Sequence, residues 1–108
     1  MNEYLKRYVV AVEHPEVSAF EHLDMLMARD RLAEQENSLS SDEKRRLKEA
    51  DHRLMEHAAA FQIELERVTS LQSERRRRQP PPQRWWWYLD VLTVLPRTAG
   101  VLQELAPA

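Results

Sequence analysis

The sequence predicts an all-α protein whose main body is a long antiparallel helical hairpin. The 108 residues include a single glycine, Gly100, although small sheet proteins need several glycines or asparagines in tight hairpin turns. Apolar residues recur at the three- and four-residue spacing of a helix along most of the chain. The absence of cysteine excludes a disulfide framework, a thiolate zinc site and a cysteine nucleophile.

The first arm of the predicted hairpin covers residues 3–36. One apolar stripe runs along it, formed by Leu5, Val9, Val12, Phe20, Leu23 and Met27. Pro15 and Glu16 lie where this stripe is weakest, and proline removes a backbone donor from a helix interior. The arm is therefore either one helix kinked at Pro15 or two helices with Pro15 in the first turn of the second.

The second arm covers residues 42–75 and follows a short polar turn. Ser40 and Glu43 have the spacing of a capping box, in which each side chain bonds the backbone N–H of the other residue. Asn37 is the predicted left-handed stop of the first arm. The clearest apolar stripe of the chain follows, formed by Leu47, Ala50, Leu54, Ala58, Phe61, Leu65 and Val68. Pro80 ends the arm because it cannot continue a helix.

Each arm has 34 residues, so each would be roughly 50 Å long as a continuous helix. Two equal arms joined by a short turn predict a hairpin with coiled-coil-like packing over residues 1–78. Two helices bury only one seam, and apolar residues such as Leu26, Met55 and Ile63 lie off it. Three candidates for covering them stay open: the C-terminal segment, a second copy or another protein.

The C-terminal part of the chain is predicted to be separate from the hairpin. Residues 79–84 form a proline-rich linker, and residues 85–108 form an aromatic and apolar segment that begins with all three tryptophans. We expect a short helix over residues 85–95. This helix either folds back to cap the hairpin, as large aromatic residues usually do, or docks into a groove of a partner protein. The predicted partner-binding residues are Trp85, Trp86, Trp87, Tyr88, Leu89, Leu92 and Leu95.

The net charge of −2 conceals two regions of opposite sign. Residues 1–74 carry ten Lys and Arg against sixteen Asp and Glu, whereas residues 75–108 carry six Arg against two acidic residues. The predicted basic contact residues are Arg75, Arg76, Arg77, Arg78 and Arg84. Their run is either a solvated helix end that complements the helix dipole or, together with the tryptophans, a nucleic-acid contact. A membrane contact is not expected, because Asp90 interrupts an apolar stretch that is already short.

The four histidines do not have the spacing of a metal site. A helical di-metal site pairs Glu-x-x-His motifs on facing helices, and the chain has one such spacing, from Glu49 to His52. We expect His14, His22, His52 and His57 to face solvent. Capping explains the serines at the turn, and no glycine-rich phosphate loop is present. No metal, cofactor, small-molecule substrate or catalytic residue is therefore predicted.

These observations favour a small non-catalytic adaptor or accessory subunit that binds a larger protein, or a second copy, through its tryptophan-rich segment. Its layout, a helical body with a spaced apolar tail, is similar to that of small prokaryotic accessory and antitoxin-type proteins. The alternative is a nucleic-acid-associated protein that uses the same segment. The sequence has neither a signal-peptide pattern nor an apolar run long enough to span a bilayer, so a cytoplasmic location is predicted.

Overall fold

A computed structural model describes residues 1–94, and all the regular structure in this range is helical. The α-helices are α1 (Glu3–Val12), α2 (Ala19–Gln35), α3 (Ser41–Glu56), α4 (Ala58–Leu65), α5 (Leu71–Arg78) and α6 (Leu89–Leu92). Short 3-10 helices cover Glu36–Ser38 and Trp85–Tyr88. The predicted all-α class is confirmed for these residues.

The first predicted arm is divided into two helices rather than kinked. The Asn2 side chain caps α1 by accepting two backbone hydrogen bonds, and α1 ends at Val12, before Pro15. The Ser18 side chain then caps α2 by accepting a hydrogen bond from a backbone N–H in its first turn. Because the connection over residues 13–18 is short, α1 and α2 pack as antiparallel neighbours.

The turn after α2 has the predicted capping box at its end but not the predicted left-handed residue at its start. Ser40 accepts from the backbone N–H of Glu43 at 3.1 Å, and Glu43 accepts from that of Ser40 at 2.9 Å, which confirms the capping box. The left-handed stop at Asn37 is wrong, because the chain continues there into a 3-10 turn. Among the non-glycine residues of the described range, positive φ occurs at Gln79, which ends α5 directly before Pro80.

The two arms of the predicted hairpin are not continuous helices. The chain measures 34 × 31 × 26 Å, whereas a helical arm of the predicted length would extend to roughly 50 Å. The second arm leaves helical geometry at His57 (φ −105°, ψ 20°) and again over residues 66–70, where Ser70 caps α5. Ser and Thr side chains can bond nearby backbone groups outside a helix, which explains the second break. The shorter helices fold over one another, with α1 against α2 and α3, and α4 against α2 and α6.

The stripe predicted for the second arm forms the centre of the core. From Leu47 to Leu65 its members are each at most 3% exposed, and the stripe ends in Val68, which is 42% exposed. These residues pack in one cluster with the buried residues of α1, α2 and the C-terminal segment. One core therefore joins the body to residues that the sequence assigned to a separate segment.

The stripe predicted for the first arm has the wrong phase beyond Pro15. Phe20 and Met27 are 67% and 42% exposed, although the pattern placed both on the seam. The break over residues 13–18 resets the helical phase, so α2 buries a face that includes His22 and Arg29 instead. Spacing read across a helix break therefore assigned the exposed face of α2 to the core.

Candidate functional site

The tryptophan-rich segment is folded onto the helical body. Trp85, Trp86 and Trp87 are 3%, 2% and 0% exposed, and Leu89 and Leu92 of α6 are also buried. The 3-10 turn that holds the tryptophans packs against α2 and α5, and α6 packs against α4. These side chains therefore cover the helical body, as the capping alternative predicted. Docking of the same side chains into a partner stays a prediction.

A single carboxylate on α2 anchors two of the indole rings. Asp30 Oδ1 accepts hydrogen bonds from Trp86 Nε1 at 2.8 Å and from Trp87 Nε1 at 2.9 Å. The Arg84 guanidinium forms an ion pair with the same oxygen at 3.3 Å. Trp85 Nε1 is buried without a hydrogen-bond partner among residues 1–94. Because a buried indole N–H without an acceptor costs free energy, Asp30 fixes how the segment lies on α2.

A buried arginine of α2 links the segment to α1 and α3. The Arg29 guanidinium lies 4.1 Å from the centre of the Trp86 ring, close enough for a cation–π interaction. It also donates two hydrogen bonds to Asp51 of α3, at 3.0 and 3.1 Å. Asp51 accepts a further hydrogen bond from the Tyr8 hydroxyl at 2.7 Å. Aromatic ring, cation, carboxylate and phenol thus form one connected cluster in the interior.

Burial changes the acid–base chemistry of this cluster. It raises the pKa of Tyr8 well above its ordinary 10.0, and the neighbouring Asp51 carboxylate raises it further. Burial also raises the pKa of Asp51, and the facing guanidinium of Arg29 offsets only part of that increase. For Arg29, burial alone would lower the pKa, but the Asp51 carboxylate holds it above the ordinary value. The hydrogen bonds of these groups join α1, α2 and α3.

The predicted basic contact residues are mostly bound to other groups of the same chain. Arg75 donates to both carboxylate oxygens of Asp90 at 2.7 and 3.0 Å and to the carbonyl oxygen of Trp87 at 2.9 Å. The Arg78 guanidinium lies 4.6 Å from the centre of the Trp87 ring. Arg76 is exposed and has no ion pair or hydrogen bond through its side chain within the described residues. The run therefore serves mainly to attach the segment to α5.

Glu74 is the acidic centre of this attachment. Its side chain is 2% exposed and accepts hydrogen bonds from Arg77 and Arg78, as well as from the Thr69 hydroxyl at 2.7 Å. Burial alone would raise the pKa of Glu74, but these hydrogen bonds lower it from the ordinary 4.5 to about 2. The charge of Glu74 therefore stabilises the folded chain at neutral pH.

The outward side of the C-terminal segment stays open to solvent. Val91 is 41% exposed and Val94 is 79% exposed, whereas Leu89 and Leu92 face the core. A hydrogen bond of 3.2 Å between the Thr93 hydroxyl and Gln62 holds the end of the segment over α4. The outward face is defined here as Val91 and Val94. Leu95, the last of the predicted partner-binding residues, lies outside the described residues.

A second open surface lies between α1 and α2. This groove has a volume of about 870 Å³. Its apolar lining residues are Tyr4, Val10, Ala11, Val17, Met25, Met27 and Ala28. Its charged and titratable lining residues are Glu3, Lys6, Arg7, His14, Glu21, Asp24 and Arg31. We call it the α1–α2 groove.

The expectation that all four histidines face solvent is wrong for His22. This residue is fully buried, with Nε2 2.9 Å from the carbonyl oxygen of Pro15 and its ring edge-on to Phe61 at 4.7 Å. It closes the turn between α1 and α2, a role that a pattern of charges and spacing does not reveal. In residues 1–94, no group of three or more His, Asp and Glu is arranged to hold a metal ion. In the same range, no helix combines the length and the apolarity needed to cross a bilayer.

Two of the residues that organise the segment were not found from the sequence. Asp30 precedes Trp86 by 56 residues, and Glu74 belongs to no recognisable motif. The one available signal is indirect, because buried indole groups require acceptors and the chain must supply them somewhere. Comparison with family models, with curated proteins and with solved structures found no match for this chain.

Proposed function

We propose that this protein is a non-catalytic helical adaptor that binds a larger protein through the outward face of its C-terminal segment. The observation that carries this proposal is the two-sidedness of the segment. Its tryptophans and leucines are buried in the body, while Val91 and Val94 are presented to solvent. In this arrangement the tryptophans hold the contact surface in place, and the valines form it.

An energetic argument favours the outward face over the tryptophans as the contact. Burying one aromatic side chain removes about 150–250 Å² from water, which is worth about 4–6 kcal/mol. Detaching the three rings would therefore cost on the order of 12 kcal/mol, within the range of about 5–15 kcal/mol for the whole stability of a small domain. A partner that pulled out Trp85, Trp86 and Trp87 would have to supply nearly all of this free energy itself. Binding to the outward face requires no such detachment.

The charges of α5 add to the chemistry proposed for the partner. The pairing of Arg75 with Asp90 brings α5 beside α6, and Arg76 on the same helix carries an uncompensated positive charge. A complementary protein would present an apolar groove for Val91 and Val94 with carboxylates at its rim. The valines would then supply most of the affinity, and the exposed arginine would orient the complex.

Site-specific crosslinking followed by a binding measurement tests this proposal. A photo-crosslinking residue at position 94 should capture one protein in the source cell, whereas the same residue at position 20 should not. Phe20 is a matched control because it is 67% exposed on α2. With the purified partner, Val94→Glu should weaken binding at least tenfold, whereas Phe20→Glu should leave the affinity unchanged. Equal effects of the two substitutions, or equal capture at both positions, would contradict the proposal.

The nucleic-acid alternative stays a prediction, and the geometry supports it less well. Stacking on bases needs exposed aromatic faces, and all three indole rings are at most 3% exposed. Binding to a single-stranded oligonucleotide that weakens log-linearly with salt, and that is lost in Arg76→Ala, would support it over the adaptor. A cytoplasmic, prokaryotic setting likewise stays a prediction.

A further inference from the structure

The α1–α2 groove exposes apolar surface that the rest of the described chain leaves uncovered. Val10 of α1 and Met27 of α2 are 54% and 42% exposed. Both line the groove, and Tyr4, Ala11 and Ala28 contribute further apolar surface to it. Two antiparallel helices with an open apolar groove have the geometry of one half of a four-helix bundle. The groove is thus shaped to receive a further pair of helices.

Several of the charges along the groove have no ionic partner within residues 1–94. Lys6 and Arg7 of α1 and Asp24 of α2 form no ion pair with any residue in the range 1–94, and neither does Glu3. Arg31 pairs only with Glu34, at 3.4 Å and on an exposed surface. Exposed pairs of that kind contribute little and are readily exchanged. The groove therefore carries charges that are free to pair with another molecule.

Opposite charges lie at matching levels on the two helices. Both helices meet the turn over residues 13–18, so Arg7, five residues before the end of α1, lies level with Asp24, five residues after the start of α2. Glu3 is nine residues before the end of α1, and Arg31 is twelve residues after the start of α2. The two residues therefore lie within about one helical turn of the same level, at the far end of the groove. At these two levels, α1 carries one sign and α2 carries the other.

We propose that a second copy of this chain fills the α1–α2 groove. A two-fold axis parallel to the helices would place α1 of each protomer on α2 of the other, antiparallel and in the same register. Arg7 of each protomer would then face Asp24 of the other, and Glu3 would face Arg31. Val10 and Met27 would be buried in a four-helix bundle. Charge complementarity of the groove with itself selects a second copy over an unrelated protein, because an unrelated sequence has no reason to repeat this order of signs.

A mass measurement over a concentration series gives the first test. The full chain should shift from monomer to dimer in analytical ultracentrifugation as its concentration rises. Val10→Glu should weaken the dimer at least a hundredfold, because it places a charge in the centre of the apolar contact. Ile63→Glu is the matched control, since Ile63 is 64% exposed against 54% for Val10 but lies on α4 outside the groove, and it should leave the dimer unchanged. Circular dichroism should show that both variants keep their helices.

A charge exchange gives the second and more specific test. Arg7→Glu alone places two acidic residues opposite each other at both symmetry-related contacts, and Asp24→Lys alone places two basic residues there. Each variant should weaken its own dimer roughly a hundredfold, since juxtaposed like charges are strongly unfavourable. An equimolar mixture of the two variants should recover dimers close to wild-type affinity, because every contact then pairs opposite signs. Recovery in the mixture cannot arise from a loss of folding in either variant.

A chain that stays monomeric up to about 1 mM would overturn this proposal. A dimer that Val10→Glu leaves intact, or a mixture of charge variants that stays monomeric, would overturn it as well. The test is independent of the adaptor proposal, because Val94→Glu should weaken binding of the larger partner at least tenfold without changing the dimer. If both hold, each dimer presents two outward faces, and a partner with two binding sites would gain avidity.

Discussion

The C-terminal segment and the α1–α2 groove use the same residue types in opposite ways. Around the segment, Arg29, Arg75 and Arg78 lie against aromatic rings and carboxylates of the same chain. Along the groove, Arg7 and Asp24 form no ion pair within the described residues, and the side chains of Val10 and Met27 are exposed. Arginines and aromatic residues therefore stabilise the fold in one region, while charges in the other remain available for an intermolecular contact.

This difference shows that an aromatic and basic segment is not by itself an interaction surface. The three tryptophans are the residues that composition would select as interface hot spots, and each is at most 3% exposed. The groove has no tryptophan and no run of like charges, so composition would overlook it. What separates the two regions is whether their polar groups are already satisfied within the chain.

The largest expected effect on the free energy of unfolding comes from replacing a buried tryptophan of the segment. Trp87→Ala should lower the free energy of unfolding by about 3–5 kcal/mol, because it removes a fully buried ring and leaves a cavity. Val94→Ala should change the free energy of unfolding by less than about 0.5 kcal/mol, because the side chain is exposed. Urea denaturation followed by circular dichroism measures both values. Similar effects at the two positions would mean that the segment is not part of the core.

The next effect depends on pH and comes from Glu74. Its pKa is lowered from 4.5 to about 2, so the folded chain gains about 3 kcal/mol that is present above pH 4.5 and lost as the pH falls toward 2. Glu74→Gln should therefore destabilise the protein at pH 7 by about that amount. The difference between wild type and variant should shrink below about pH 4. A difference that stays constant between pH 7 and pH 2.5 would show that the charge of Glu74 is not what matters.

A smaller effect is expected at the acceptor of the indole groups. Asp30→Ala leaves two buried N–H groups and Arg84 without their acceptor, which should cost about 2 kcal/mol in unfolding free energy. Asp30→Asn keeps the accepting oxygen and should cost about half as much. Denaturation curves of the two variants separate the hydrogen bonds from the charge. Equal losses would indicate that the charge alone holds the segment.

The smallest effects on the free energy of unfolding are expected for charges of the α1–α2 groove, in contrast to the residues around the C-terminal segment. Arg7→Ala and Asp24→Ala should each change the unfolding free energy of the dilute, monomeric chain by less than about 0.5 kcal/mol. Neither charge has an ionic partner within the described residues, unlike the arginines around Glu74. Denaturation at low micromolar protein concentration measures the effect. A loss as large as that of Glu74→Gln would show that these charges do stabilise the fold.

The sequence was sufficient for the features that depend on neighbouring residues. The capping box at Ser40 and Glu43, the helix end before Pro80 and the buried stripe from Leu47 to Leu65 were all predicted, because each is determined within one or two helical turns. The break at Pro15 was identified, although its form was left open. Such features follow from local spacing and from capping chemistry.

Features that depend on distant residues could not be predicted in the same way. Helix phase is lost across the break before α2, so Phe20 was assigned to the core and His22 to the surface. The acceptor of Trp86 lies 56 residues away, and no local pattern identifies which of the acidic residues takes that position. The α1–α2 groove is open because no other helix of the described residues packs over it, and the sequence does not show how the helices pack.

The central claim is that the tryptophans are core residues and that contacts with other molecules are made elsewhere. All three tryptophans of the chain lie in one tripeptide, so total tryptophan fluorescence reports on this segment alone. Quenching by iodide or acrylamide tests the claim directly. We expect blue-shifted emission and a quenching constant that is a small fraction of the value in urea, both with and without a bound partner. Emission and quenching close to those of the unfolded chain would contradict the account, because the rings would then be exposed.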